Sequence, residues 1–279
     1  MRLSELGSMD EIKLAKGGEV VVHDIVGKAA IPCIDFGDKS VLFQGQIGGR
    51  IGNSRGGSVL VPTESGMLLK FGKGRQSGVQ NIEFSYATDI DITAIQCLDG
   101  QTFTVDGCGF DYCDVGVDID TNGRRILASS VRDGWFNYCR IGVRIDCGSL
   151  ARNSSAGIVL DRLNFTGGDI AIEVLQASHT MTIRDSVIQA QKKAGLVLRA
   201  GNHVLDNLYV ETKNTGGVPS LLVPSLVVLG NAKVVMRGGL YHGVFFENPA
   251  NVTGEWTDLR PGATARMDMN HMRLLGIVQ

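Results

Sequence analysis

Val79-Gln-Asn-Ile-Glu-Phe84 is followed by Val105-Asp-Gly-Cys-Gly-Phe110 and Val131-Arg-Asp-Gly-Trp-Phe136. Looser copies follow: Leu160-Asp-Arg-Leu-Asn-Phe165, Ile183-Arg-Asp-Ser-Val-Ile188 and Leu205-Asp-Asn-Leu-Tyr-Val210. The closing apolar residues fall 22 to 29 positions apart. A second phrase lies between the copies: Ala94-Ile-Gln-Cys97, Gly116-Val-Asp-Ile119, Gly142-Val-Arg-Ile145, Ala171-Ile-Glu-Val174, Gly195-Leu-Val-Leu198 and Leu226-Val-Val-Leu229. Between 79 and 245 no stretch has a helical period. Antiparallel hairpins would not return each copy in the same phase, whereas a coil that adds one rung per turn would, with neighbouring copies paired in parallel.

Within each phrase the apolar period is two, the period of a strand. It turns Ile82 and Phe84, Cys108 and Phe110, Gly134 and Phe136, Leu163 and Phe165, Ser186 and Ile188, and Leu208 and Val210 inward. In the second phrase it turns in Ile95/Cys97, Val117/Ile119, Val143/Ile145, Ile172/Val174, Leu196/Leu198 and Val227/Leu229. Equivalent slots on adjacent rungs stack at about 4.8 Å. Phe84, Phe110 and Phe136 thus form a ladder, as do Tyr86, Tyr112 and Tyr138 two positions on, in what reads as another inward slot, and Cys113 and Cys139 after them. Packing is the plain reading of these ladders. Asn81, Asp133, Asp185 and Asn207 share one slot and suit a bend, where short polar side chains bond the backbone.

Composition agrees with many short strands and tight turns: 37 Gly, only 6 Pro, 43% hydrophobic and 20% charged residues. The formal charge of −2 leaves no footprint for nucleic acid or an anionic membrane. The N-terminus carries no secretory signal pattern, and no apolar run is long enough for a membrane span. None of the six Cys sits in a CxxC pair matched to histidines, so neither zinc nor another cofactor is expected, and reduced thiols are. Gly48-Gly-Arg-Ile-Gly52 lacks the order and the following helix of a dinucleotide loop. Upstream, strands are expected at Glu19–His23, Ala30–Ile34, Ser40–Phe43, Ser58–Val61 and Met67–Phe71. The expected organisation is a short helix or attachment segment at 1–16, the β-coil at 17–246, and an apolar tail at 247–279. That tail either caps the coil or packs on another chain.

The Gly17-Gly18-Glu19-Val-Val-Val opening, the Phe36-Gly37 to Ile47 rung and the repeated Gly-[Val/Leu]-x-[Ile/Leu] phrase carry a resemblance over most of the chain. The chain resembles the single-stranded right-handed parallel β-helix proteins of the pectate-lyase-like superfamily, in particular bacteriophage tail-spike and capsule-depolymerase proteins. The resemblance implies an all-β solenoid, a homotrimer, attachment to other virion proteins, and a flank presented to a bacterial surface polysaccharide. It also implies residence in the virion after folding in a host cytoplasm. Three roles follow as expectations: a glycan-recognising spike, a polysaccharide hydrolase or lyase, or a purely structural tail or head component.

Chemistry, where present, is expected on outward slots. One column reads Gln96, Asp118, Arg144, Glu173, Val197 and Val228; the next reads Leu98, Asp120, Asp146, Leu175, Arg199 and Gly230. Asp118, Asp120, Asp146 and Glu173 are the candidate catalytic carboxylates, since two of them about 5–10 Å apart suit work on a glycosidic bond. Arg144 and Trp135 are the candidate substrate-binding residues. The plainer reading of Asp118, Arg144 and Glu173 is ion pairing across rungs. Asp111 and Asn137 align with no third partner. The five His share no slot with a Ser or Cys, so a nucleophilic triad is not supported.

Overall fold

The computed structural model describes residues 20–22, 27–37, 40–45, 58–72, 76–85, 91–98, 102–120, 128–147, 157–176, 180–212 and 222–278. The expected helix at 1–16, the Gly48–Gly52 loop and Tyr86 lie outside them.

The chain is a parallel β-solenoid. One turn illustrates its construction. Ser130–Arg132 forms the first flank, Trp135–Asn137 the second and Ile141–Asp146 the third. Each strand pairs in parallel with its equivalents in the turns before and after, as in Val105↔Val131↔Leu160, Phe110↔Phe136↔Phe165 and Val117↔Val143↔Ile172. The first and second flanks merge into one 18-stranded sheet, and the third is a separate sheet of nine strands.

The bends explain the polar slot. Asn81, Asp133, Arg162, Asp185 and Asn207 all have φ near +50°, and Gly107 occupies the same bend with φ 62. Left-handed backbone costs a non-glycine residue about 1–2 kcal/mol, least for Asn and Asp. Here each bend N–H stays in the ladder: Asn81 N–H donates to the Asp106 carbonyl at 3.0 Å and Asp133 N–H to that of Asp161 at 3.1 Å. The two-residue period restarts after the bend, which is why one phrase spans two flanks.

The Phe column is a continuous stack: Phe84–Phe110 centroids lie 5.2 Å apart, Phe110–Phe136 4.6 Å and Phe136–Phe165 4.6 Å, with rings within 13° of parallel. The third flank makes room for it. A Cβ on Gly142 would stand 2.5 Å from Phe165 Cε1, and one on Gly116 2.8 Å from Phe136 Cδ1. The glycine that opens the second phrase is therefore a notch for a ring from the next turn. All six cysteines are free thiols, Cys113 and Cys139 buried among them.

Three expectations are corrected. Tyr112 and Tyr138 do not point inward: they sit at the bend after the second flank, with φ 58 and 53, and are 51% and 49% exposed. The bend breaks the alternation that had placed them inside. Leu226 and Val228, not Val227 and Leu229, fill the core, in register with Leu196 and Leu198. A run of four apolar residues carries no polar marker of its phase. The coil also continues beyond Phe246, because Val252–Asp258 pairs in parallel with Lys233–Tyr241, and Trp256 packs edge-on against Phe246 at 5.8 Å.

The tail covers a side rather than an end. Helices Pro261–Thr264 and Met269–Leu274 bring Ala263, Met267, Met272, Leu275 and Ile277 against Ala194, Val197, Val227, Leu229 and Phe245. The outward column of the third flank turns apolar at Val197 because the tail buries it there.

Phe110→Ala removes the middle of the ring stack and is expected to lower unfolding stability by about 3–5 kcal/mol; a neutral result in denaturant titration would contradict the ladder. His203 faces inward between Met181 and Val234, 1% exposed, with Nε2 2.9 Å from the Ala200 carbonyl. Burial pushes its pKa down to about 4, against a small upward pull from that bond. The unfolded chain therefore takes up the proton first as acid is added. The stabilising contribution is complete above about pH 6.5 and falls by about 3 kcal/mol as pH drops towards 4. His203→Met should flatten this part of the acid-unfolding curve relative to the parent chain.

Candidate functional site

The three flanks dispose of their outward side chains differently. On the first flank, cross-strand register stacks Asp106, Arg132, Asp161, Arg184, Asp206, Arg237 and Glu255 in one column. The sign alternates at every step. The adjoining bend column runs in antiphase with Asp133, Arg162 and Asp185. Arg162 holds both oxygens of Asp133 at 2.8 and 2.7 Å, and also Asp161 at 2.7 Å, while Arg184 holds Asp161 at 3.1 Å twice. Asp161 is 1% exposed, so these partners replace the water that it has lost. The sequence carries this signal as Arg132-Asp133, Asp161-Arg162 and Arg184-Asp185, one phrase slot with its signs swapped in each turn, which the reading for apolar periodicity passed over.

The third flank gathers most of the sequence-predicted site. Asp35, Lys70, Gln96, Asp118, Arg144 and Glu173 form one column. Arg144 grips Asp118 with Nε at 3.0 Å and Nη2 at 2.8 Å, and Gln96 Nε2 donates to the same carboxylate at 3.1 Å. Asp118 is only 1% exposed although its slot faces out. Its hydrogen bonds raise the pKa of the Arg144 guanidinium above the ordinary value, and the charges of Asp118, Glu173 and Asp120 add to this. Arg199 reaches Glu173 at 3.3 Å and also donates to the Ile277 carbonyl, tying the column to the tail. In the second outward column Asp120 and Asp146 stand in register on adjacent turns. The next member is Gln176, not Leu175, because the ladder bulges after Ile145.

The second flank carries no such ladder. One outward column reads Val59, Glu83, Gly109, Trp135, Asn164, Val187, Tyr209, Leu240 and Thr257. The other holds Ser85, Asp111, Asn137, Thr166, Gln189 and Glu211. The first column is headed by Lys28, in register with Val59, and from Val59 onward neither column contains a Lys or Arg. Along its border the rings of Tyr112 and Tyr138 stack at 5.2 Å, and neither hydroxyl has a hydrogen-bond partner among the described residues. Asn137 Nδ2 donates to Asp111 Oδ1 at 2.7 Å. Burial raises the Asp111 pKa, that hydrogen bond opposes the rise, and the charge of Glu83 adds to it. Trp135 lies between Gly109 and Asn164, and its buried Nε1–H finds no acceptor among the described residues. Hydroxyl, amide and carboxylate groups beside exposed aromatic rings form a surface that can stack on and hydrogen-bond to an uncharged polar ligand.

The structure thus brings Asp118, Arg144, Glu173, Asp120 and Asp146 together on one flank and places Trp135 on another. Among the described residues no three His, Cys, Asp or Glu side chains group as a metal site, and no helix is long and apolar enough to cross a membrane. The chain matches no protein-family model, no curated protein and no solved structure.

Arg144→Met leaves the Asp118 charge buried with only Gln96 to bond it. The substitution is expected to cost about 3 kcal/mol at neutral pH, and Asp118→Asn introduced beside it should restore most of the loss. Equal stability of the single and double variants in urea titrations would show that the pair is not coupled.

Proposed function

We propose that this protein recognises a bacterial surface polysaccharide as part of a bacteriophage spike or fibre, with the glycan laid along the second flank. The observation that carries the reading is the exposed Tyr112–Tyr138 stack bordering Asp111, Asn137 and Trp135. Half-exposed aromatic rings beside hydrogen-bonding side chains suit the apolar faces and hydroxyl rims of sugar rings. The other two flanks support the choice by contrast, since one neutralises its own charges and the other is ion-paired and strapped by the tail. The place in a virion, the homotrimer and the attachment to other virion proteins rest on the resemblance in sequence pattern to tail spikes. Free buried thiols suit a protein that folds in a reducing host cytoplasm.

A second reading, polysaccharide hydrolysis or elimination, has one observation in its favour. In-register strands hold Asp120 and Asp146 about 4.8 Å apart along the coil, close to the carboxyl separation of about 5–5.5 Å in retaining glycosidases.

One experiment separates the two. Incubation with a panel of bacterial capsules and lipopolysaccharides is scored separately for binding and for new reducing ends or unsaturated uronate. The spike reading expects binding without release, and at least a tenfold affinity loss in Tyr112→Ala/Tyr138→Ala with stability changed by no more than about 1 kcal/mol, as for exposed positions. Product release abolished by Asp120→Asn or Asp146→Asn would establish the enzyme instead. Absence of binding across the panel would overturn the glycan reading.

A further inference from the structure

Resting on the glycan-binding reading of the second flank, we infer that its ligand is a non-acidic polysaccharide, neutral or amino-bearing, and that the surface excludes glycans carrying uronate, sialate or phosphate. The basis is the sign of the charges that a ligand would meet. The outward columns of this flank contain Glu83, Asp111 and Glu211, and their one cation among the described residues, Lys28, stands three turns before the turn that carries Tyr112. Among the described residues, the cations that border the tyrosine pair and the turns after it are engaged or displaced. Arg140 is bound to Asp114 and Lys193 to Asp169, while Lys192 lies two turns beyond Tyr138. Arg162 and Arg184 are held by carboxylates of the first flank. At the lower end Arg260 acts on Tyr209 and His242, away from the tyrosine pair.

A sugar carboxylate placed beside Asp111 would meet a half-buried like charge that Glu83 already opposes, with no guanidinium to form the bidentate pair that acid recognition uses. A sugar hydroxyl or ammonium group meets the reverse situation. A carboxylate oxygen accepts from a hydroxyl or an N–H, and the partly buried site strengthens that bond. Asn137, whose amide is already turned to Asp111, keeps its own oxygen as a further acceptor. The acceptors of this surface therefore outnumber its charged donors.

The test uses the full chain and a panel of capsular and O-antigen polysaccharides. Each acidic member is offered both native and after carbodiimide–borohydride reduction, which converts its uronates to neutral hexoses. The inference expects neutral or carboxyl-reduced polymers to bind at least tenfold more tightly than native acidic ones, with affinity little changed between 50 and 500 mM salt, as for an uncharged ligand. Glu83→Gln should narrow the difference between native and reduced forms, a readout that a purely structural role would not move. Tighter binding of native acidic polymers, lost in Tyr112→Ala/Tyr138→Ala, would overturn the charge inference while leaving the glycan reading intact. Binding to no polymer in either form would overturn both.

Discussion

The fold depends on fitting four phenylalanine rings into a column whose opposite wall has been cut back to glycine. Phe84, Phe110, Phe136 and Phe165 stack at 4.6–5.2 Å, close to the strand spacing itself, so neither rings nor backbone must stretch to accommodate the other. The rings are wide, and the third flank lies directly across from them. Gly116 and Gly142 clear the space that a methyl group would fill. A ring in one turn thereby contacts the preceding turn on its far side, which couples successive turns through side chains as well as through backbone hydrogen bonds.

That coupling frees the outward slots from any duty in the core, and the three flanks spend this freedom differently. The first becomes a checkerboard of Asp and Arg in which even the buried Asp161 is satisfied. The third changes character midway: polar up to Glu173, apolar from Val197, where the tail lies across it. Arg199 stands at the junction and bonds to both sides. Among the described residues the second flank keeps exposed polar and aromatic groups, Tyr112 and Tyr138 among them, outside any ladder of alternating charge.

Much of the architecture was legible because its signals repeat. Phase, strand period and the bend slot of Asn81, Asp133, Asp185 and Asn207 can be read from the phrases alone, and the ion-pair reading of Asp118 and Arg144 agrees with their geometry. The features that escaped are those where the period-two rule is interrupted. A left-handed bend turned Tyr112 and Tyr138 out, and a bulge replaced Leu175 by Gln176. The uniform run Leu226–Leu229 concealed its own phase. The candidate binding surface was obscured for the same reason: the two tyrosines are apolar enough to be assigned to the core, and only the left-handed bend shows that they turn outward next to Asp111 and Asn137.

The alternating column from Asp106 to Glu255 has a consequence for how such a coil can grow. Each turn contributes one charge, and each neighbour the opposite one. Duplicating a single turn anywhere in this region would set two carboxylates or two guanidinium groups face to face at the new junction, where like charges directly opposite are destabilising. Duplicating two consecutive turns would not, since the pair brings one of each sign. Within this charged stretch, growth by duplication is therefore favoured in pairs of turns, which would leave a repeat of roughly fifty residues rather than the shorter one that a single turn spans, whereas the uncharged Gln44 and Gln80 at the head of the column impose no such rule.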